Sequence, residues 1–224
     1  MCCCAQLSCR AVSGRLAIAV LVSGAGTNLQ ALLDTVHGRE AEIVAVASST
    51  ADAPALARAR ARQVPSAVFA RSQYPDREAR DAALADWLIE RGTRLVVLAG
   101  YMELLSPKFL ARFPRSVINV HPSLLPAFPG LKAIEQALAY GVKVFGVTVH
   151  FVDEGVDSGP VILQRAVELP GAREHDEVLR ALRPLEHGLL AEAVRLYASG
   201  ALSADPANPR RTIFDLPPPH ASEG

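Results

Sequence analysis

Short apolar runs alternate along the chain with stretches in which apolar residues recur at every third or fourth position. The apolar runs predict β-strands, and the periodic stretches predict amphipathic α-helices. We expect strands at 16–22, 42–48, 66–70, 94–99, 116–120, 143–151 and 161–168. We expect helices at 28–36, 53–62, 77–92, 106–113 and about 173–198. This alternation indicates an α/β protein.

Strands that are almost wholly apolar and separated by helices are typical of a parallel sheet with helices on both faces. The connection between the strands at 143–151 and 161–168 is too short for a helical crossover, so we expect these two to pair antiparallel. The sequence therefore predicts an α/β single domain with an open, mostly parallel twisted sheet of about seven strands, flanked by helices and ending in an antiparallel strand pair. We expect a disordered leader at 1–14, the domain at 15–200 and a proline-rich surface tail at 201–224.

The overall composition points to small-molecule ligands. Half of the 224 residues are apolar, and Lys plus Arg equal Asp plus Glu at 23 each. This balance gives no electrostatic reason to expect nucleic acid or an anionic membrane as a partner. No apolar stretch reaches the ~18 to 20 residues of a membrane helix. The apolar part of 15–26 also has the pattern of a signal peptide, but it makes a better first strand.

All four cysteines lie within the first nine residues, at Cys2, Cys3, Cys4 and Cys9. Their spacing matches neither a metal site nor a disulfide framework that could staple a core. A body without cysteine fits a reducing compartment. We therefore expect a cytoplasmic protein.

The segment that follows the first strand, VSGAGTNLQ at 22–30, combines glycines with side-chain donors. Gly26, Thr27 and Asn28 open the first predicted helix, where free backbone N–H groups and the helix dipole favour a phosphate. A dinucleotide-binding loop is excluded because Leu29 stands where its third glycine belongs, and a P-loop because no Gly-Lys-Ser/Thr follows. An ordinary glycine turn with an Asn or Thr cap is the alternative.

A second candidate site lies in SVINVHPSLLPAFPG at 116–130. At strand spacing, Asn119 and His121 share one face at the carboxyl end of a buried strand, where open parallel sheets place their ligands. An amide can donate to a developing oxyanion, and an imidazole can exchange a proton near neutral pH. A single strand-end histidine is more often structural than catalytic, so catalysis requires a partner for it.

The segment DEGVDSGPVIL at 153–163 supplies a carboxylate partner. Asp157 is followed by Ser-Gly-Pro, a sharp turn that can aim the carboxylate towards the mouth of the next strand. A carboxylate beside His121 favours the imidazolium and fixes which ring nitrogen faces a substrate. His150, on the preceding strand, is expected to be structural rather than a base.

Four segments together resemble one known family, the phosphoribosylglycinamide formyltransferases, folate-dependent enzymes of purine synthesis. The segments are LVSGAGTNLQ, LAGYMELLSP, NVHPSLLPAFPGLKAIEQAL and GVTVHFVDEGVDSGPVIL, and the resemblance runs in order from about residue 16 to about residue 198. The Asn-x-His-x-Ser-x-Leu-Pro motif with a later Asp-x-Gly-Pro is specific for formyl transfer on this fold. Methionyl-tRNA formyltransferase and formyltetrahydrofolate deformylase share it, but normally with a further domain that does not fit in this length.

The resemblance implies that the amine of glycinamide ribonucleotide attacks the formyl carbon of 10-formyltetrahydrofolate, the co-substrate. Asn119 and protonated His121 are implied to stabilise the oxyanion, while Asp157 orients His121 and moves a proton through a water molecule. No metal is expected, because the folate nitrogen already activates the formyl group. The residues implied to bind glycinamide ribonucleotide are Gly26, Thr27, Asn28 and Glu186.

The same resemblance implies a folate pocket along YMELLSP, with Asp157 beside it. Its residues are Met102, Glu103, Leu104 and Leu105. Many relatives carry Arg where this chain has Glu103, so a cation that would help to hold the glutamate tail of folate is expected to be absent. Contacts to the pterin that depend on the main chain should survive this change.

Three alternatives stay open. Hydrolysis of formyltetrahydrofolate and formyl transfer to another amine would use the same catalytic centre. A nucleotide-binding module without turnover is the non-enzymatic alternative, and the complete set of Asn119, His121 and Asp157 speaks against it. The sequence is also compatible with a homodimer.

Overall fold

The computed structural model describes residues 14–214, and the four cysteines and most of the predicted leader lie outside this range. The described residues form nine strands: β1 (Leu16–Val22), β2 (Ala41–Ser48), β3 (Ser66–Val68), β4 (Leu95–Leu98), β5 (Val117–His121), β6 (Val144–Phe151), β7 (Val161–Glu168), β8 (Leu202–Asp205) and β9 (Asn208–Phe214). Six α-helices connect them: α1 (Thr27–Thr35), α2 (Ala55–Ala61), α3 (Arg77–Glu90), α4 (Pro107–Arg112), α5 (Ala133–Tyr140) and α6 (His175–Ala198). A short 3₁₀ turn covers Arg71–Gln73.

The strands lie side by side in the order β3-β2-β1-β4-β5-β6-β7-β9-β8. Strands β1 to β5 pair in parallel, whereas β6 runs antiparallel to both β5 and β7. The predicted fold class, including the antiparallel pair of 143–151 with 161–168, is therefore confirmed. The two additional strands, β8 and β9, form an antiparallel hairpin beside β7.

The central strands β1, β2, β4, β5 and β6 are largely buried on both faces, as their apolar sequences predicted, whereas β7 is mostly exposed or half-buried. Ile18 and Val20 of β1 belong to a first core with α1 and α6, whereas Ala19 and Leu21 belong to a second core with α3 and α4. Alternate residues of a strand point to opposite faces, so an apolar run satisfies both cores at once. The helices leave the carboxyl ends of the parallel strands free for loops.

Two regions differ from the expectation, and prolines are the reason in both. Helix α5 follows the proline-containing loop and was not predicted; it starts after Lys132, which has a φ of +59°, and ends at Gly141. The hairpin of β8 and β9 lies in the stretch that we expected to be a surface tail. Pro206 occupies the turn between these strands, where no N–H donor to a ladder is needed.

The topology brings three loops together at one edge of the sheet. After β1 the chain adds β2 and β3 on one side, and then crosses to add β4 and β5 on the other. Such a reversal leaves a crevice beyond the carboxyl ends of the central strands. The loops that follow β1, β4 and β5 all open into this crevice.

Gly26, at the end of the loop that follows β1, has no room for a side chain. Its φ is +71°, and an added Cβ would lie 2.5 Å from the Cβ of Ala55 and 2.8 Å from its Cα. The loop therefore packs directly on the start of α2. This close packing fixes where α1 begins.

We expect Gly26→Ala to destabilise the protein more than Gly38→Ala does. Gly38 also has a positive φ, +76°, but nothing lies within 4 Å of an added Cβ there. Both variants carry the cost of a left-handed backbone, and Gly26→Ala adds overpacking of about 1–3 kcal/mol. Urea unfolding of both variants measures the difference, and equal losses would contradict this packing.

Candidate active site

A cavity of about 860 Å³ lies in the crevice at the carboxyl ends of β1, β4 and β5. The loop after β4 forms one wall, and the loop after β5 forms another. Polar side chains from four parts of the chain converge on this cavity: Asn28, Asn119, His121, Asp157 and Glu186. The structure thus brings the predicted catalytic residues and two of the predicted substrate residues to one site.

Asn119 and His121 lie on one face at the end of β5, as strand spacing predicted. Asp157 reaches them from the loop between β6 and β7, where its φ is +50°. Its Oδ2 lies 3.3 Å from Nδ1 of His121, and its Oδ1 lies 3.4 Å from Nδ2 of Asn119. The three side chains therefore form one cluster at the wall of the cavity.

The ring of His121 is held between two hydrogen-bond acceptors. Its Nε2 lies 2.9 Å from the carbonyl oxygen of Phe128, and its Nδ1 faces the carboxylate of Asp157. A neutral imidazole carries one N–H and can satisfy only one of these acceptors. Only a ring with a proton on each nitrogen could donate to both acceptors.

Asp157 is held as a carboxylate by its neighbours. Burial opposes its ionisation, but hydrogen bonds with His150 and the Gly130 amide, and the charge of His121, lower the pKa of Asp157 to about 2. The Gly130 N–H donates to Oδ2 over 2.8 Å. The charged carboxylate is therefore available to the cluster across the physiological pH range.

His150 belongs to the same cluster, which the sequence analysis did not predict. Its Nδ1 donates to the carbonyl oxygen of Phe151 over 2.8 Å. Nε2 lies 3.3 Å from the amide nitrogen of Asn119 and 3.5 Å from the carboxylate of Asp157. His150 is therefore in contact with both of these groups. The sequence analysis could not place His150 here because it lacked the register of β5 against β6, in which Asn119 and His150 are direct partners.

The loop that carries Asp157 depends on a glycine two residues further on. A Cβ on Gly159 would lie 1.8 Å from the carbonyl oxygen of Phe151. The same loop is fixed at its base by the N–H of Phe151, which donates to the carbonyl oxygen of Pro160. Only a residue without a side chain allows the loop to close tightly enough for Asp157 to point inward.

The start of α1 lies at the other end of the cavity. Within the described residues no side chain caps this helix, so the predicted alternative of an Asn or Thr cap is not what the structure contains. Arg58 holds the preceding loop through its Nε, which donates to the carbonyl oxygen of Ala25 over 2.9 Å. Of the three predicted phosphate residues, Asn28 lines the cavity, whereas Gly26 and Thr27 are not part of its lining.

Glu186 of α6 faces Asn28 across this end of the cavity. Nδ2 of Asn28 donates to Oε2 of Glu186 over 3.1 Å. Burial raises the pKa of Glu186, while the hydrogen bond from Asn28 and the positive charge of Arg183 oppose that rise. The site therefore combines an uncapped helix terminus with a half-buried acid.

The predicted folate residues divide into two groups. Met102 and Leu104, at 65% and 59% exposure, present apolar side chains at the cavity. Leu105 instead packs against the second core and is not part of the cavity lining. Glu103 pairs with Arg80, a residue that the sequence analysis did not single out; NH1 of Arg80 lies 2.7 Å from the Glu103 carboxylate.

The described residues were also compared with what a metal site and a membrane-spanning helix require. In residues 14–214, no three His, Cys, Asp or Glu side chains are grouped so that they could hold a metal ion. Among the helices within this range, none has the length and apolar character needed to cross a membrane.

Comparisons with known proteins agree with this geometry. The family model described as formyl transferase matches residues 16–194. The phosphoribosylglycinamide formyltransferase of Haemophilus influenzae is 41% identical over 187 residues, which cover 83% of this chain and 88% of that protein.

Solved structures give the same result. Glycinamide ribonucleotide transformylase 1 from Symbiobacterium toebii superposes with a TM-score of 0.86 at 46% identity, over 89% of this chain and 94% of that one. A formyltetrahydrofolate deformylase from Pseudomonas syringae superposes with a TM-score of 0.82 at 27% identity, over 90% of this chain and 66% of that one. The match of the family model over most of the chain shows that this protein belongs to the formyl transferase family.

Proposed function

We propose that this protein transfers the formyl group of 10-formyltetrahydrofolate to the amine of glycinamide ribonucleotide, giving formylglycinamide ribonucleotide and tetrahydrofolate in purine synthesis. The observation that carries the proposal is that the cluster of Asn119, His121 and Asp157 shares one cavity with the uncapped start of α1. A phosphate at the helix terminus would anchor the substrate. Its amine could then reach the cluster. We further expect the reaction to take place in the cytoplasm.

The cluster suits an acyl-type transfer. When the amine nitrogen bonds to the formyl carbon, negative charge develops on the formyl oxygen, and the Asn119 amide is placed to donate to it. The two ring nitrogens of His121 face Phe128 and Asp157, so this ring would stabilise the oxyanion through its positive charge when it is protonated. The 3.4 Å contact of Asn119 with Asp157 is long for a hydrogen bond, so one amide N–H can turn to the oxyanion. The bond from the carbon to the folate nitrogen then breaks, and Asp157 assists in moving the amine proton to that nitrogen.

The loop after β4 offers a fitting wall for folate. Met102 and Leu104 expose large apolar side chains inside a concave surface, which suits the flat ring of a pterin. These two residues would pack against the ring, and main-chain groups of the same segment would bind its polar edge. The folate nitrogen supplies the activated formyl group.

For glycinamide ribonucleotide, we propose that Gly26, Thr27 and Asn28 bind the phosphate, with Glu186 near the ribose or the amine. The relatives named for this substrate support the choice, since they are 41% and 46% identical, whereas the deformylase is 27% identical. An assay with 10-formyltetrahydrofolate, with and without glycinamide ribonucleotide, tests the proposal. Tetrahydrofolate release that does not depend on the amine would favour the hydrolase alternative instead.

Removing either charged partner should abolish most of the turnover without unfolding the protein. We expect His121→Ala and Asp157→Asn each to lower kcat by at least ~100-fold, the usual scale for acid-base and electrostatic groups. Glu154→Gln, an exposed acid on the same loop as Asp157, is the control and should keep wild-type kcat. Steady-state kinetics with circular dichroism measure this, and a wild-type rate in either test variant would refute its assigned role.

The phosphate site has a matched control on the same helix. We expect Thr27→Ala to raise KM for glycinamide ribonucleotide by about tenfold, the loss of one hydrogen bond to a charged group, while kcat changes little. Thr35→Ala removes a hydroxyl that donates to the carbonyl oxygen of Ala31 at the far end of α1. That variant should leave KM unchanged. The same KM in both variants would move the phosphate site elsewhere.

The lowered pKa of Asp157 also predicts a pH dependence of stability. A carboxyl whose folded pKa is about 2, against 3.8 unfolded, stabilises the fold above about pH 4 and loses this contribution as the pH falls towards 2. The difference in unfolding free energy between wild type and Asp157→Asn should therefore shrink from pH 6 to pH 3. Urea titrations at several pH values measure it, and a constant difference would contradict the hydrogen-bonded carboxylate.

A further inference from the structure

Arg80 is the largest fully buried side chain in residues 14–214. All three guanidinium nitrogens donate hydrogen bonds. Nε and NH2 donate to Oδ1 of Asp81 over 2.9 and 2.7 Å, and NH1 donates to Oε2 of Glu103 over 2.7 Å. NH2 also donates to the carbonyl oxygen of Leu104 over 3.1 Å. A buried guanidinium with four hydrogen bonds, at least one on each nitrogen, is costly to disturb, because any partner lost leaves a charged donor unsatisfied.

These contacts end on the segment that forms the apolar wall of the cavity. Residues 101–105 lie outside every helix and strand, and Ser106 caps α4. At one end, the N–H of Met102 donates to Oγ of Ser23 over 2.9 Å. At the other end, the N–H of Ser106 donates to Asp81, the acid that also binds Arg80. Arg80 and its partners therefore take the place of secondary structure for this wall.

Glu103 lies between the cavity residues Met102 and Leu104, and its carboxylate is paired with Arg80. Its side chain is 31% exposed, whereas the flanking Met102 and Leu104 are much more exposed and line the cavity. The negative charge of Glu103 is balanced at short range by a guanidinium that has little contact with water. Repulsion between this carboxylate and an anionic ligand is thereby reduced.

We infer that Arg80 is a positioning residue that holds the Met102–Leu104 wall in its folate-binding conformation, with Glu103 as its counterion rather than as an acid that repels the glutamate tail. This inference rests on the proposed function, because it takes folate as the ligand of the wall. It also changes the expectation drawn from Glu103: the residue supports folate binding through Arg80.

Glu103→Ala tests the inference, because the two interpretations of this acid predict opposite changes in KM for 10-formyltetrahydrofolate. If Glu103 positions the wall, its loss raises KM for 10-formyltetrahydrofolate by about tenfold, the loss of one charged hydrogen bond. KM should rise equally for 10-formyltetrahydropteroate, which lacks the glutamate tail. KM for glycinamide ribonucleotide should stay close to wild type, whereas the melting temperature should fall because NH1 of Arg80 loses its acceptor.

Three results would overturn the inference. A lower KM for the glutamylated folate, with no change for the pteroate, would show that Glu103 repels the tail. An unchanged KM for both folates would show that the pair with Arg80 does not position the wall. An equal rise in KM for glycinamide ribonucleotide would show a general loss of structure rather than a specific effect on the folate wall.

Two further variants sharpen the test. Glu78→Gln removes an acid that pairs with exposed Lys108 between α3 and α4, away from the cavity, and should leave both KM values unchanged. Arg80→Lys keeps the charge but cannot reach three acceptors with a rigid fork, so it should act in the same direction as Glu103→Ala. Should Arg80→Lys fail to fold, the surface-accessible Glu103 variant still decides the question.

Different results would refute the proposed formyl transfer and the proposed role of Arg80 and Glu103. If wild-type protein does not formylate glycinamide ribonucleotide and does not bind 10-formyltetrahydrofolate, the proposed function is wrong and this inference falls with it. If wild type is active and Glu103→Ala has wild-type KM for both folates, only the role of Arg80 and Glu103 is wrong.

Discussion

The carboxylate of Asp157 is the constraint around which the site is built. It accepts from the backbone of Gly130 and lies within 3.5 Å of His121, His150 and Asn119, so one buried charge orients three side chains from two strands. Each of those groups alone would be an ordinary strand residue. Because the carboxylate is held ionised, it can accept both from the ring of His121 and from the amide of Asn119. A tight loop at Gly159 makes this arrangement possible.

The position of the cluster follows from the sheet rather than from local sequence. Parallel strands that are apolar on both faces can accept polar side chains only at their ends, and the reversal of strand order at β1 gathers those ends at one crevice. The loop with the uncapped helix start and the loop with the apolar wall therefore face each other across the cluster. Oγ of Ser23 joins these two loops directly, because it accepts from the N–H of Met102 and pairs with Ser49. The region proposed to bind the phosphate and the wall proposed to bind folate thus share one set of hydrogen bonds.

Sequence patterns were sufficient for features that depend on local spacing. The apolar strands β1 to β7, the antiparallel connection of β6 and β7, and the common face of Asn119 and His121 all follow from periodicity and loop length. Features that depend on contacts between distant segments could not be predicted in this way. His150 needed the register of β5 against β6, and Arg80 needed its burial to be known, since periodicity places an arginine on the solvent side of a helix. The sequence analysis missed α5 and the hairpin of β8 and β9, because it interpreted the prolines near them as signs of irregular chain.

The ion pair of Arg80 and Glu103 affects how the function of this protein is compared with that of its relatives. The resemblance described in the sequence analysis leads one to expect a missing cation at position 103. The fold nevertheless keeps a cation against the same wall, contributed from a helix 23 residues earlier in the chain. Ligand preferences in such enzymes are therefore better inferred from the net charge of spatial neighbours than from single aligned columns.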